Sequence, residues 1–183
     1  KRVFSMDQMS ILCKGSYSGR VSMLCDPVYI SSPPDENLQR ELSQRNVSHV
    51  PLDIPWPTSS RSEIEHIISQ SSYPQVCNTS SCNIASRLVS QLRRLDLDIL
   101  IVPHHEEVDT LIALHAARHA DIKVRVLEMP NIFGNGNQLR MCAAANVVVF
   151  PSCFAAYHDL SSECRSSGTS IVVIPPIGLD ITV

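Results

Sequence analysis

Val147-Val148-Val149-Phe150 is an unbroken apolar run stopped by Pro151-Ser152, and Ile171-Val172-Val173-Ile174 is a second one, stopped by Pro175-Pro176. Side chains in a strand point alternately to the two faces of the sheet, so an all-apolar strand has no solvated face. Such strands belong to parallel sheets covered by helices. The stretch between the two runs has room for a helix, and the Pro-Pro-Ile-Gly-Leu-Asp sequence after the second run has turn chemistry.

The rest of the chain reads as the same alternation. Arg20 to Cys25 is predicted as a strand, and a helix opens at Glu36 with Asp35 placed to cap it. Val47 to Ile54 is the next strand, and Pro55 to Ser60 a loop leading to a helix from Ser62 to Gln70. The Ser/Asn-rich stretch from Ser71 to Ser81 reads as a surface connection. Ile84, Leu88, Leu92 and Leu95 recur at helical spacing before the strand Leu97 to Val102. A helix from Val108 to His119, a strand from Val124 to Leu127, a Gly/Asn loop and a helix from Gln138 to Ala144 complete the series. Strands separated regularly by helices imply right-handed βαβ units. The expected class is therefore α/β, a Rossmann-like, doubly wound, mainly parallel sheet with helices on both faces. Leu100, Val102, Val126, Val148 and Ile174 are its expected buried strand positions. With 183 residues and no internal repeat or linker, residues 1–183 are expected to form one domain.

Composition bounds the function classes. With 44% apolar and 18% charged residues and a net charge of -3, the chain has the balance of a globular protein and no basic footprint for nucleic acid. No apolar run approaches the roughly 20 residues that cross a bilayer. Acidic Asp7 interrupts the first residues too early for a secretory signal, and a cytoplasmic or cytosol-facing location is expected. Seven cysteines, an odd number spread over all kinds of element, make no disulfide framework. They read as buried or incidental thiols, which favours reducing surroundings. Asn46-Val47-Ser48 and Asn78-Thr79-Ser80 are glycosylation sequons that matter only in a secretory route.

Ala144-Ala145-Asn146-Val147-Val148-Val149-Phe150-Pro151-Ser152, the helix after it, and Ile171-Val172-Val173-Ile174-Pro175-Pro176-Ile177-Gly178-Leu179-Asp180 together resemble the end of the N-terminal domain in family 4 (group 1) glycosyltransferases. There "aDxvvxpS", a helix and "vxVIPxGvD" close the acceptor half of a GT-B enzyme. The resemblance covers most of the chain in element order, and Asp98 to Asp180 in motifs. It implies a retaining, metal-independent sugar transfer from a nucleotide-sugar donor to a hydroxyl acceptor. The donor is a co-substrate and no cofactor is implied. A second, donor-binding domain would be the partner. In that family a strand and a glycine-rich turn precede the first helix. Here Val3, Met6, Met9 and Leu12 open on helical spacing, so the chain reads as an interior piece, inactive alone.

Ligands of open α/β sheets sit beyond the carboxyl ends of the strands, which directs attention to the residues after Val102, Leu127 and Phe150. The family's matching strand usually ends in histidine, which makes His104 and His105 the best matches. Imidazoles donate hydrogen bonds to hydroxyls or phosphate oxygens and take up protons near neutral pH. The plain alternative is a pair of solvent-facing loop histidines. After the Val124 strand the family commonly carries a histidine near the reacting sugar. Met129, Pro130 and Asn131 stand there instead, leaving Glu128 and Asn131 to bind hydroxyls. Ser152 matches the family's serine beside the interdomain cleft, where it caps the next helix or touches ligand. No residue is assigned a catalytic role.

Other site patterns fail. His105-Glu106 lacks the second histidine of a zincin, since Asp109 stands four residues on. His115 and His119 share a helix face, but no third ligand is identifiable and they read as solvated helix histidines. Gly134-Asn135-Gly136 is not a dinucleotide fingerprint, because Leu139 holds the third glycine position. A stand-alone flavodoxin-like or Rossmann-like binding module without transferase activity remains the competing reading, since one fold serves both.

Overall fold

The computed structural model describes residues 28–31, 36–44, 48–51, 60–71, 73, 79–104, 107–129, 138–153, 156 and 161–174. The chain divides into two compact units, one made of Lys1–Asp53 with Pro176–Val183 and the other of Ile54–Pro175. The class is α/β and Rossmann-like, with parallel strands flanked by helices.

In the first unit, β1 (Val28–Ser31), α1 (Glu36–Gln44) and β2 (Ser48–Pro51) form a βαβ turn of chain whose strands pair in parallel, Val28 beside Ser48 and Ser31 beside Pro51. Leu42 anchors α1 with 2% exposure. The helix and β2 fall where the sequence pattern put them. β1 itself is a strand that the sequence pattern did not indicate. The expected strand from Arg20 to Cys25 and the Asp35 cap lie outside the described residues.

The second unit begins with α2 (Arg61–Ser69) and α3 (Ser80–Arg94), continues through β3 (Ile99–Pro103), α4 (Glu107–His119), β4 (Val124–Glu128), α5 (Gln138–Ala144) and β5 (Val147–Phe150), and ends with α6 (Ser161–Ser166) and β6 (Ser170–Val173). Thr79 starts α3 by accepting the Cys82 N–H on its side-chain oxygen at 3.3 Å. Left-handed backbone closes three helix-to-strand turns, at Asp96, Asp121 and Gly168 with φ of 49°, 64° and 79°. Aspartate tolerates this conformation better than most residues with a Cβ, and glycine adopts it freely.

The four strands of this unit pair in parallel in the order β3-β4-β5-β6. Their register sets Val102 beside Leu127, Leu127 beside Val148, and Val148 beside Ile171. These residues share one face, and Leu111 and Leu114 of α4, Met141 and Ala144 of α5, and Cys164 of α6 pack on it. Strands that advance in one direction through right-handed crossovers place the crossover helices on the same side, which is what this core records. Along β5, Val148 and Phe150 are wholly buried on that side, while Val147 and Val149 on the other face are half-buried. Of the expected core positions, Val102, Val126 and Val148 are buried. Leu100 and Ile174 are only half-buried, being on or just beyond the outer strands β3 and β6.

Val148→Ala is expected to cost about 1–3 kcal/mol in denaturant unfolding, from lost burial and a partly unfilled space. A change within about 0.5 kcal/mol would contradict its place in the core.

The expectation for the cysteines is overturned. Cys142 and Cys164, both without solvent exposure, are joined by a disulfide, with Cα atoms 5.1 Å apart. They are 22 positions apart in sequence with β5 between them, and the β4-β5-β6 order brings α5 and α6 together, a neighbourhood invisible in the spacing of the cysteines. Cys82 is disulfide-bonded as well, and Cys153 is free and exposed. The argument from unpaired thiols to reducing surroundings loses its premise.

Candidate functional site

Parallel pairing puts the carboxyl ends of β3, β4 and β5 on one rim. The ladder runs slightly past the strands there. The His104 N–H donates to the Glu128 carbonyl at 2.8 Å, and the Met129 N–H to the Val149 carbonyl at 2.9 Å. His104 is half-buried directly after β3, and Glu128, also half-buried, is the last residue of β4. Ser152 comes two residues after β5, and its main-chain carbonyl accepts from the Ala156 N–H at 3.1 Å, the bond expected of a residue that starts a helical turn. Three of the five expected site residues are therefore on one rim. His105 and Asn131 lie outside the described residues, as does the Gly134-Asn135-Gly136 loop.

Chemically, the residues on this rim carry an imidazole, a carboxyl group and a hydroxyl. Such a set suits polyhydroxyl ligands, since every sugar hydroxyl both donates and accepts. Met129 adds no polar group, as it is 3% exposed and part of the core.

The helix histidines differ from the solvated pair expected. His119 is half-buried, its Nε2 is 2.9 Å from the Ile68 carbonyl, and its ring packs on Tyr73 with centroids 4.7 Å apart. It is thus a structural tie between α4 and the end of α2. His115 is half-buried too, with an Nδ1 that finds no hydrogen-bond partner among the described residues. Burial first, then the charges of Arg118, His119, Arg140 and Arg125, lower its pKa from 6.5 to about 4. The i, i+4 spacing was the right signal for a shared face, but the partners of that face come from α2, β4 and α5.

Among the described residues no group of three or more His, Cys, Asp or Glu side chains could hold a metal ion. No described helix is long and apolar enough to cross a membrane. No protein-family model, curated protein or solved structure matches the chain.

Proposed function

We propose that this chain is the acceptor-side part of a GT-B glycosyltransferase of the family 4 type, which moves a sugar from a nucleotide-sugar donor to a hydroxyl acceptor. The observation that carries the reading is the coincidence of two things. The motif from Ala144 to Ser152 resembles the family's, and the parallel register brings His104, Glu128 and Ser152 to the carboxyl rim where ligands of such sheets bind. His104, His105, Glu128, Asn131 and Ser152 would then hold acceptor hydroxyls or donor phosphate. Transfer with retention and without metal comes from the resemblance. So does the partner, a second Rossmann domain that holds the nucleotide.

Catalysis itself dictates the test. Donor phosphate and acceptor hydroxyl must be fixed together in one orientation, which half a cleft does not provide. A panel of nucleotide sugars, read for both transfer and hydrolysis, is therefore expected to give no turnover with the 183-residue chain and turnover with a longer chain that carries a donor-binding half. In that longer protein, His104→Ala should lower transfer by at least about tenfold, equivalent to roughly 1.4 kcal/mol of transition-state stabilisation, with no matching fall in melting temperature. Robust turnover by the short chain would overturn the proposal, as would silence of the longer one across the whole panel.

A further inference from the structure

Two helices that follow different strands, α5 after β4 and α6 after β5, are joined by the bond between Cys142 and Cys164. A cross-link constrains whatever lies between its ends, and that stretch holds β5 and then Ser152, Cys153 and Ala156. Ser152 is a rim residue. Its carbonyl accepts the Ala156 N–H at 3.1 Å, and Ala156, 4% exposed, belongs to the same buried cluster as the two cysteines. The turn that begins at Ser152 is therefore anchored in the core that the cross-link closes.

Hydrogen bonds tie the same place a second time. The buried Thr169 hydroxyl donates to the Cys142 carbonyl at 2.7 Å and lies 3.3 Å from the carbonyl of Ala145. The Cys164 carbonyl accepts twice, from Ser167 Oγ at 2.7 Å and from the Thr169 N–H at 3.1 Å. Thr169 thus holds the backbone of both cysteines. None of these bonds involves sulfur, so they keep the two positions opposite each other when the covalent bond is open. They are weaker restraints than a cross-link, since each is made in exchange for hydrogen bonds to water.

The α6 side is the one that gives way. This helix has six residues, and Arg165 and Ser166 beside the buried Cys164 are exposed. It packs by the outer strand β6, and so short a helix has little stability of its own. Local opening there costs less than unfolding the sheet, and it admits a reductant to a bond that is sealed in the closed state.

We infer that the Cys142–Cys164 bond is a redox-operated latch. Oxidised, it holds α6 and the turn of Ser152 against the sheet; reduced, it releases them while α4 and the β3-β4-β5 ladder stay folded. The step is thiol–disulfide exchange with a dithiol. The dithiol gives up two electrons and two protons as its own sulfurs join, the bond between the Sγ atoms breaks, and Cys142 and Cys164 are left as thiols. The latch bears on a rim residue, but its grounds do not include the sugar-transfer reading, and its test reads backbone amides instead of transfer.

The experiment measures amide hydrogen exchange by NMR on the full 183-residue chain, with Cys153→Ser to remove the exposed free thiol, before and after treatment with dithiothreitol. Reduction is expected to speed exchange at least about tenfold at the N–H groups of Ala156, Gly168 and Thr169, and less than about twofold at those of Ala120 and Val124. Reoxidation with oxidised glutathione should restore the first rates. Dithiothreitol also opens the disulfide of Cys82, so Cys142→Ala with Cys164→Ala, left untreated, separates the two bonds and should show the same three fast amides. Unchanged rates at these amides in the reduced chain would overturn the inference. So would loss of protection throughout the sheet on reduction, or a bond that glutathione does not remake.

Discussion

Replacing Phe150 by alanine is expected to cost about 3–5 kcal/mol of folding free energy, the largest loss from any single truncation in the four-stranded sheet. The ring is wholly buried at the end of β5, on the face where Leu127, Val148, Met141 and Cys164 meet. Its surroundings cannot easily collapse into the vacated space. β5 has a neighbour on each side, Phe150 is paired with Val173, and its carbonyl accepts the Ile174 N–H at 2.9 Å. Against a typical stability of about 5–15 kcal/mol, such a loss removes a large share of the total. Urea unfolding of the variant, compared with Val172→Ala, provides the check. Val172 lies on the other face at 39% exposure, so its truncation should cost less than about 1 kcal/mol. Equal midpoints for the two variants would show that the helix-covered face is not the core.

The contrast between those residues also marks how much could be read from the chain alone. The strands β3 to β6 were legible because β-branched apolar runs, stopped by Pro or separated by helical spacing, leave few alternatives. β1 was not legible. Val28-Tyr29-Ile30-Ser31 is short and flanked by prolines, and only its pairing with Ser48 to Pro51 makes it a strand. Leu100 and Ile174 resemble Val148 in sequence, yet position on an outer strand, a property of sheet order, leaves them half-buried. The Cys142–Cys164 bond has the same origin.

The carboxyl-rim residues were legible for a topological reason, because any parallel sheet aligns the residues just beyond its strand ends. His104, Glu128 and Ser152 needed only the strand ends to be right. The surroundings of His115 were not legible, since Arg118, Arg125 and Arg140 belong to three elements and none forms a local pattern with the others. Its helix spacing with His119 was visible, but the environment that decides its chemistry comes from β4 and α5.

That environment leads to the second large effect, a loss of stability in mild acid that belongs to His115. In the folded chain its pKa is lowered to about 4, and in the unfolded chain it returns to the ordinary 6.5. Between these values the unfolded state binds a proton that the folded state refuses. Stability from this group is therefore fully present above pH 6.5, falls as the pH drops toward 4, and is lost once the folded state also protonates. Linkage alone would set a ceiling of about 3 kcal/mol. Partial exposure of the ring screens the interaction, and about 1–2 kcal/mol is expected. Other groups titrate in acid too, so the measurement compares the wild-type chain with His115→Leu at a series of pH values. The difference between the two proteins removes every common contribution. Leucine also removes the buried Nδ1 that lacks a partner, so the variant should be close to wild type at pH 7 and should keep more of its stability at pH 4.5. Parallel pH profiles would mean that the imidazole titrates normally in the folded state. The arginines of α4, β4 and α5 would then be too well screened to act on it.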